Sequence, residues 1–246
     1  LDSAHRLRYL HDLTSFLDCA ASPPMNWIAG AWAVFRKDVR IELRSRYAVN
    51  ALLMFVLGAL LLMLCAIGTG PVSARVQAAL LWIVLLFAAS IGLGRSFVAE
   101  EEGHTTLLLQ LNARPSMVFA GKLFFNWLLL SGLTVVGTGV FLLLLGVSVG
   151  TPSLLAVTLA LGATGLSGAT TLLAALIARA ARQGPLLPVL LLPLLVPLLV
   201  SVVSATPKAL VGLSWLSAQD ELLTLVGFSG ATITAALLLF DYVWTE

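Results

Sequence analysis

The chain has 246 residues, of which 59% are hydrophobic and 11% charged, with a formal net charge of +2. A soluble domain carries about 25% charged residues and cannot keep so apolar a surface in water, so a soluble fold is excluded. The small net charge offers nothing to nucleic acid. The two cysteines, Cys19 and Cys65, form no C-x-x-C pair.

Residues 1–24 are polar and mixed and end in Ser22-Pro23-Pro24. They hold no apolar run of the kind a cleavable signal needs. They read as an N-terminal extension, disordered or loosely helical, with Met25 as a candidate start and a six-span domain over 25–246. From Trp32 the pattern changes. Trp32, Phe35, Val39, Leu43 and Tyr47 recur at steps of three and four, one stripe of a helix over 32–47, while Arg36, Lys37, Arg40 and Arg44 lie off it. A basic amphipathic helix running directly into a membrane span belongs in the headgroup layer; the alternative is a soluble helix packed on a partner.

Six apolar runs follow, at Ala51–Gly68, Val76–Gly94, Leu123–Val147, Leu154–Ala178, Pro185–Ala205 and Leu222–Phe240, and none contains Asp, Glu, Lys, Arg or His. About 20 apolar residues span the hydrocarbon core. Lipid offers the backbone no hydrogen-bond partner, so the runs are helices, and they lack the polar alternation of a barrel. The expected fold is an all-α membrane protein with six transmembrane helices.

Orientation comes from Lys and Arg. With the N-terminus inside, the cytoplasmic side holds 12 of the 14 basic residues, and only Arg75 and Lys208 face outward. The positive-inside rule puts both termini and the 95–122 loop in the cytoplasm. Cys19 and Cys65 then lie on opposite sides of the membrane.

Catalytic motifs are missing. Gly121-Lys122 is followed by Leu123 and has no glycine five positions earlier, so it is no phosphate-cradling loop. Any ATP hydrolysis must come from another chain. There is no H-E-x-x-H motif, and His5, His11 and His104 lie outside the spans and far apart. Proton-coupled carriers and acid–base membrane enzymes keep ionisable groups in the membrane; the absence of such groups disfavours both classes. Small residues mark two spans: Gly132, Gly137 and Gly139 in the third, and Gly162, Gly165 and Gly168 with Thr164, Ser167, Thr170 and Thr171 in the fourth. They suit close helix packing inside the subunit. Pro188, Pro193 and Pro197 should kink the fifth span, for movement or for packing alone, and Pro185 suits its start.

The 95–122 segment carries Arg95, Phe97, the run Glu100-Glu101-Glu102 and Gly103, then Leu107, Leu108, Leu109 and Leu111 before Pro115. A charge run is commonly a solvated connector. An acidic turn followed by a short leucine-rich helix stopped by Pro115 instead has the shape of a docking element for a cytoplasmic partner.

Several pieces in order resemble one family. They are Arg36-Lys37-Asp38-Val39-Arg40-Ile41-Glu42-Leu43-Arg44, Arg95-Ser96-Phe97 with Glu100-Glu101-Glu102-Gly103, and Pro115-Ser116 with Gly121-Lys122-Leu123. The last is Leu186-Leu187-Pro188 through Pro193 and Pro197. From about Met25 to Ala205 the chain resembles CcmB, the membrane subunit of the ABC-type heme exporter of cytochrome c biogenesis. His104-Thr105-Thr106 departs from the family's usual continuation, and 1–24 has no counterpart. The resemblance implies the six-helix half of an ABC-2 permease, with an elbow helix at 32–47 and a coupling loop at 95–122 in the bacterial inner membrane. The implied partners are a CcmA-like ATPase, CcmC-like and CcmD-like subunits and a second six-helix half, self or partner, besides membrane lipid. Together they would help release a heme-loaded chaperone. Heme would be cargo of the complex and not a cofactor of this chain: iron is usually held by His, Cys, Met or Tyr, and the spans offer only Met54, Met63 and Cys65. Rival readings are a permease for lipid, polysaccharide or drug, a carrier or enzyme built on backbone and hydroxyl groups, and a non-transporting scaffold.

Overall fold

In a computed structural model the described residues are 27–45, 47–67, 72–93, 115–178 and 186–245. They form seven α-helices and no strand. The helices are α1 (Trp27–Ser45), α2 (Tyr47–Ile67), α3 (Ala74–Leu93), α4 (Pro115–Leu145), α5 (Pro152–Ala178), α6 (Leu186–Val211) and α7 (Gln219–Thr245), with a 3-10 turn, Trp215–Ala218, before α7. Six of them, α2 to α7, are long and apolar enough to cross a membrane. The protein is an all-α membrane protein of six spans preceded by one amphipathic helix.

The helices are longer than the charge-free runs that announce them. α4 begins at Pro115, so 115–122 are its first two turns. Pro115 itself is the first helical residue, where its missing N–H costs nothing. α6 runs on past Ala205 to Val211 with Pro193, Pro197 and Pro207 inside it. Lys208 is accommodated in its last turn because its ammonium donates to the Ser217 carbonyl at 2.5 Å and pairs with Glu221 at 2.6 Å.

α5 is the central post, packed along α6 and α7 and against α4, and α3 lies along α6. Glycines make that closeness possible. A Cβ on Gly162 would collide with the Trp82 ring, and one on Gly165 with Leu198. A Cβ on Gly137 would come within 3.2 Å of Val56, whereas one on Gly132 or Gly139 would meet nothing within 4 Å, so of the three small residues in the third span only Gly137 packs closely inside the subunit. Side-chain hydrogen bonds tie the apolar bundle at fixed heights. The Trp82 indole donates to Thr206 Oγ1 at 3.0 Å, Trp127 to Thr164 Oγ1 at 3.0 Å, and the Asn126 amide to Thr171 Oγ1 at 2.9 Å.

The end of the bundle away from α1 is laced by backbone. Gly150 N donates to Leu210 O at 3.0 Å and Thr151 N to Ala209 O at 2.9 Å, so the α4–α5 turn takes up carbonyls that end α6. Gly212 turns the chain there at φ +90°, and a Cβ on Gly150 would strike the Gly212 backbone. Glycine is required at both places.

Candidate functional site

The most specific side-chain arrangement lies where α1 crosses the start of α4. The sequence places the apolar stripe from Trp32 to Tyr47 in the headgroup layer. The face that α1 presents to α4 is a different one, Gly30, Val34 and Asp38, one residue per turn, and Val34 is buried. Trp32 remains exposed, Phe35 and Val39 are half-buried, and the side chains of Leu43 and Tyr47 lie outside those described. Two glycines set the approach. The Met117 sulfur lies 2.5 Å from where a Gly30 Cβ would sit, and the Ala31 carbonyl 2.6 Å from one on Gly121. The Trp27 indole donates to Ser116 Oγ at 3.1 Å.

Within this crossing sits an ion pair. Lys122 Nζ lies 3.6 Å from Asp38 Oδ2, with side-chain exposures of 2% and 10%. Lys37 Nζ is 3.3 Å from Asp38 Oδ1. Charges removed from water persist only when paired, and Asp38 is a counter-charge that helps α4 carry a lysine into the protein. An aromatic run continues the contact along α4. Trp32 and Phe35 ring centroids are 5.0 Å apart, Phe35 and Phe124 4.8 Å edge to face, and Phe124 and Trp127 5.8 Å stacked. Glu42 Oε1 accepts the Val49 N–H at 2.9 Å, closing the corner from α1 into α2.

The junction is wired to the rest of the bundle through α4. Phe119, fully buried, lies 5.1 Å from Phe240 of α7. About two turns further on, Asn126 and Trp127 hold α5 by the bonds given above. α4 is thus packed at once against α1, α5 and α7. Asp38 and Lys122 stood in the sequence as unconnected pieces, and with Lys37 beside Asp38 nothing there pointed to a partner on another helix.

Arg36, Arg40 and Arg44 point outward on the exposed side of α1, and Lys37 is half-buried. Pro115 stands at the head of α4. Arg95, Phe97, Glu100, Glu101, Glu102 and Gly103 lie outside the described residues. Among the described residues no three His, Cys, Asp or Glu side chains are placed to hold a metal ion. Met54 is 69% exposed on α2, Met63 packs against the core and Cys65 is exposed.

Comparison with known proteins gives a consistent answer. The family described as CcmB protein matches residues 29–241. Heme exporter protein B of Bradyrhizobium diazoefficiens is 32% identical over 182 residues, covering 73% of this chain and 82% of that protein. Heme exporter protein B of Rhodobacter capsulatus is 30% identical over 205 residues, covering 82% of this chain and 92% of that protein. With a matched region that takes in α1 and all six spans, the chain belongs to the CcmB family.

Proposed function

We propose that this chain is the permease subunit of an ABC-type heme exporter of cytochrome c biogenesis. In this reading it converts ATP hydrolysis in a separate CcmA-like chain into helix movement that serves heme export or the release of a heme-loaded chaperone. The family match over 29–241 carries the reading, supported by relatives whose names state heme export. The charge-free spans agree with it, because a permease driven mechanically from the cytoplasm has no need of a proton relay in the membrane. The chain would sit in the bacterial inner membrane with both termini cytoplasmic, α1 as the interfacial elbow, and the coupling segment over 95–114 leading into the first turns of α4 at 115–122. CcmC-like and CcmD-like subunits and a second six-helix half would complete the assembly.

The stroke would enter through Arg95, Phe97, Glu100–Glu102 and Gly103 and pass into α4 at Pro115. The α1–α4 junction lies directly on that route. Exposed ion pairs contribute under about 1 kcal/mol each, so one glutamate change should do little. Reversing Glu100, Glu101 and Glu102 together to Lys should abolish copurification of the ATPase and cytochrome c maturation. Wild-type copurification by the triple variant would remove the docking assignment. Finding the chain with an ATPase but without CcmC-like or CcmD-like partners would favour a permease for another cargo.

A further inference from the structure

The exposed flank of α1 carries a feature that the junction with α4 engages only through Trp32 and Lys37. A shallow groove of about 430 Å³ runs along it, with Ala29 and Ala33 as its floor, Trp32 and Ile41 as apolar walls, and Arg36, Lys37 and Arg40 as its charged side. Arg36 and Arg40 are exposed and pair with no carboxylate among the described residues. Trp32 and Ile41 are 55% and 59% exposed. A helix built for water would not leave such large side chains bare beside unpaired arginines.

Two properties together define what fits. Two unpaired guanidinium groups one helical turn apart suit a phosphate, which they can grip through paired N–H donors. Alanines at the floor and a tryptophan beside it suit the glycerol and upper acyl region of an amphiphile, the depth at which indole rings rest in bilayers. A free phosphate would use only the first property, and an apolar chain only the second. We infer that this groove is a selective site for an anionic phospholipid of the cytoplasmic leaflet, its headgroup phosphate held by Arg36 and Arg40 and its acyl chains lying against Trp32. The inference rests on the reading above that α1 lies at the cytoplasmic face.

Because Asp38 and Gly30 hold the neighbouring face of α1 on α4, an occupied groove anchors α4 to the leaflet as well. Lipid charge would then act on the same helix that the coupling segment drives.

The full chain is reconstituted in phosphatidylcholine vesicles doped with acyl-brominated phosphatidylglycerol or acyl-brominated phosphatidylcholine. The tryptophan fluorescence of the wild type minus that of Trp32→Phe isolates the Trp32 signal. Each juxtamembrane cation adds several-fold to anionic lipid affinity. Half-maximal Trp32 quenching should thus need roughly tenfold less brominated phosphatidylglycerol than brominated phosphatidylcholine. Arg36→Gln with Arg40→Gln should abolish that preference, and Arg44→Gln should retain it. Equal quenching by both lipids would overturn the site while leaving α1 in the bilayer and the transport reading intact. A preference that survives loss of both arginines would also overturn it. Quenching by neither lipid would remove α1 from the membrane surface, and with it the orientation on which the site depends.

Discussion

The Asp38–Lys122 contact makes a quantitative demand. At 3.6 Å, unit charges attract by about 4–5 kcal/mol at an effective dielectric of about 20, and by about 1 kcal/mol in water. With Lys122 only 2% exposed, the first figure governs the attraction. Desolvation works against it, and Asp38 Oδ2 has no hydrogen bond to strengthen its side of the contact. Breaking such a pair therefore costs much, while replacing it whole costs little. Asp38→Asn should lose up to about 3 kcal/mol, the low end for a broken buried pair, because Asp38 keeps 10% exposure. Lys122→Met should lose less, since Lys37 remains 3.3 Å from Asp38 to pair with the carboxylate left behind. The double variant should return to within about 1 kcal/mol of wild type. In a chain of this size about 3 kcal/mol corresponds to a fall of roughly 6–12 °C in the midpoint of thermal unfolding. The assay is unfolding of the detergent-solubilised protein followed by tryptophan fluorescence, run as a double-mutant cycle. Single variants that melt within about 1 °C of wild type, or a double variant that loses the sum of both, would refute a buried coupled pair.

Glycine substitutions should split by what they face. Gly162→Ala drives a methyl into the Trp82 ring, which is buried and hydrogen-bonded to Thr206, and should cost about 1–3 kcal/mol; Gly132→Ala meets nothing and should raise the isolated subunit's stability by up to about 1 kcal/mol, so equal melting shifts would contradict the packing. Met63→Ala with Cys65→Ser should leave cytochrome c maturation intact, and heme titration of the purified subunit should give no stoichiometric Soret band. A saturable one-to-one complex lost in that double variant would make this chain a direct heme carrier.

The spans were legible because nothing but helix can satisfy the backbone of a charge-free run in lipid. Their ends were not. A boundary drawn at the first charge stops at Lys122 and at Lys208, yet both lysines stand inside helices, each beside a carboxylate of another helix. Helix periodicity assigned α1 correctly but not its packed face. That face is set by Gly30 and Gly121, whose value is the absence of a side chain and so leaves no mark in a hydrophobic pattern. The same blindness grouped Gly132 and Gly139 with Gly162 and Gly165, though the neighbours that distinguish them belong to other helices. The Asp38–Lys122 pairing needed three dimensions, since residues 46–114 of the sequence intervene between the two elements.

At the end of the bundle opposite α1, Gly150 and Thr151 occupy the carbonyls of Leu210 and Ala209, while Gly212 and Leu213 both return to the carbonyl of Lys208. Backbone bonds of this kind cannot slide by rotamer changes as side chains can, so the α4–α5 hairpin and α6 share a fulcrum there. The 26 residues of α6 make a rod of about 39 Å at about 1.5 Å per residue. A tilt of about 5° about that fulcrum displaces the opposite end of the rod by about 3 Å, which is enough to re-seat a helix against its neighbour while the clasped end stays shut.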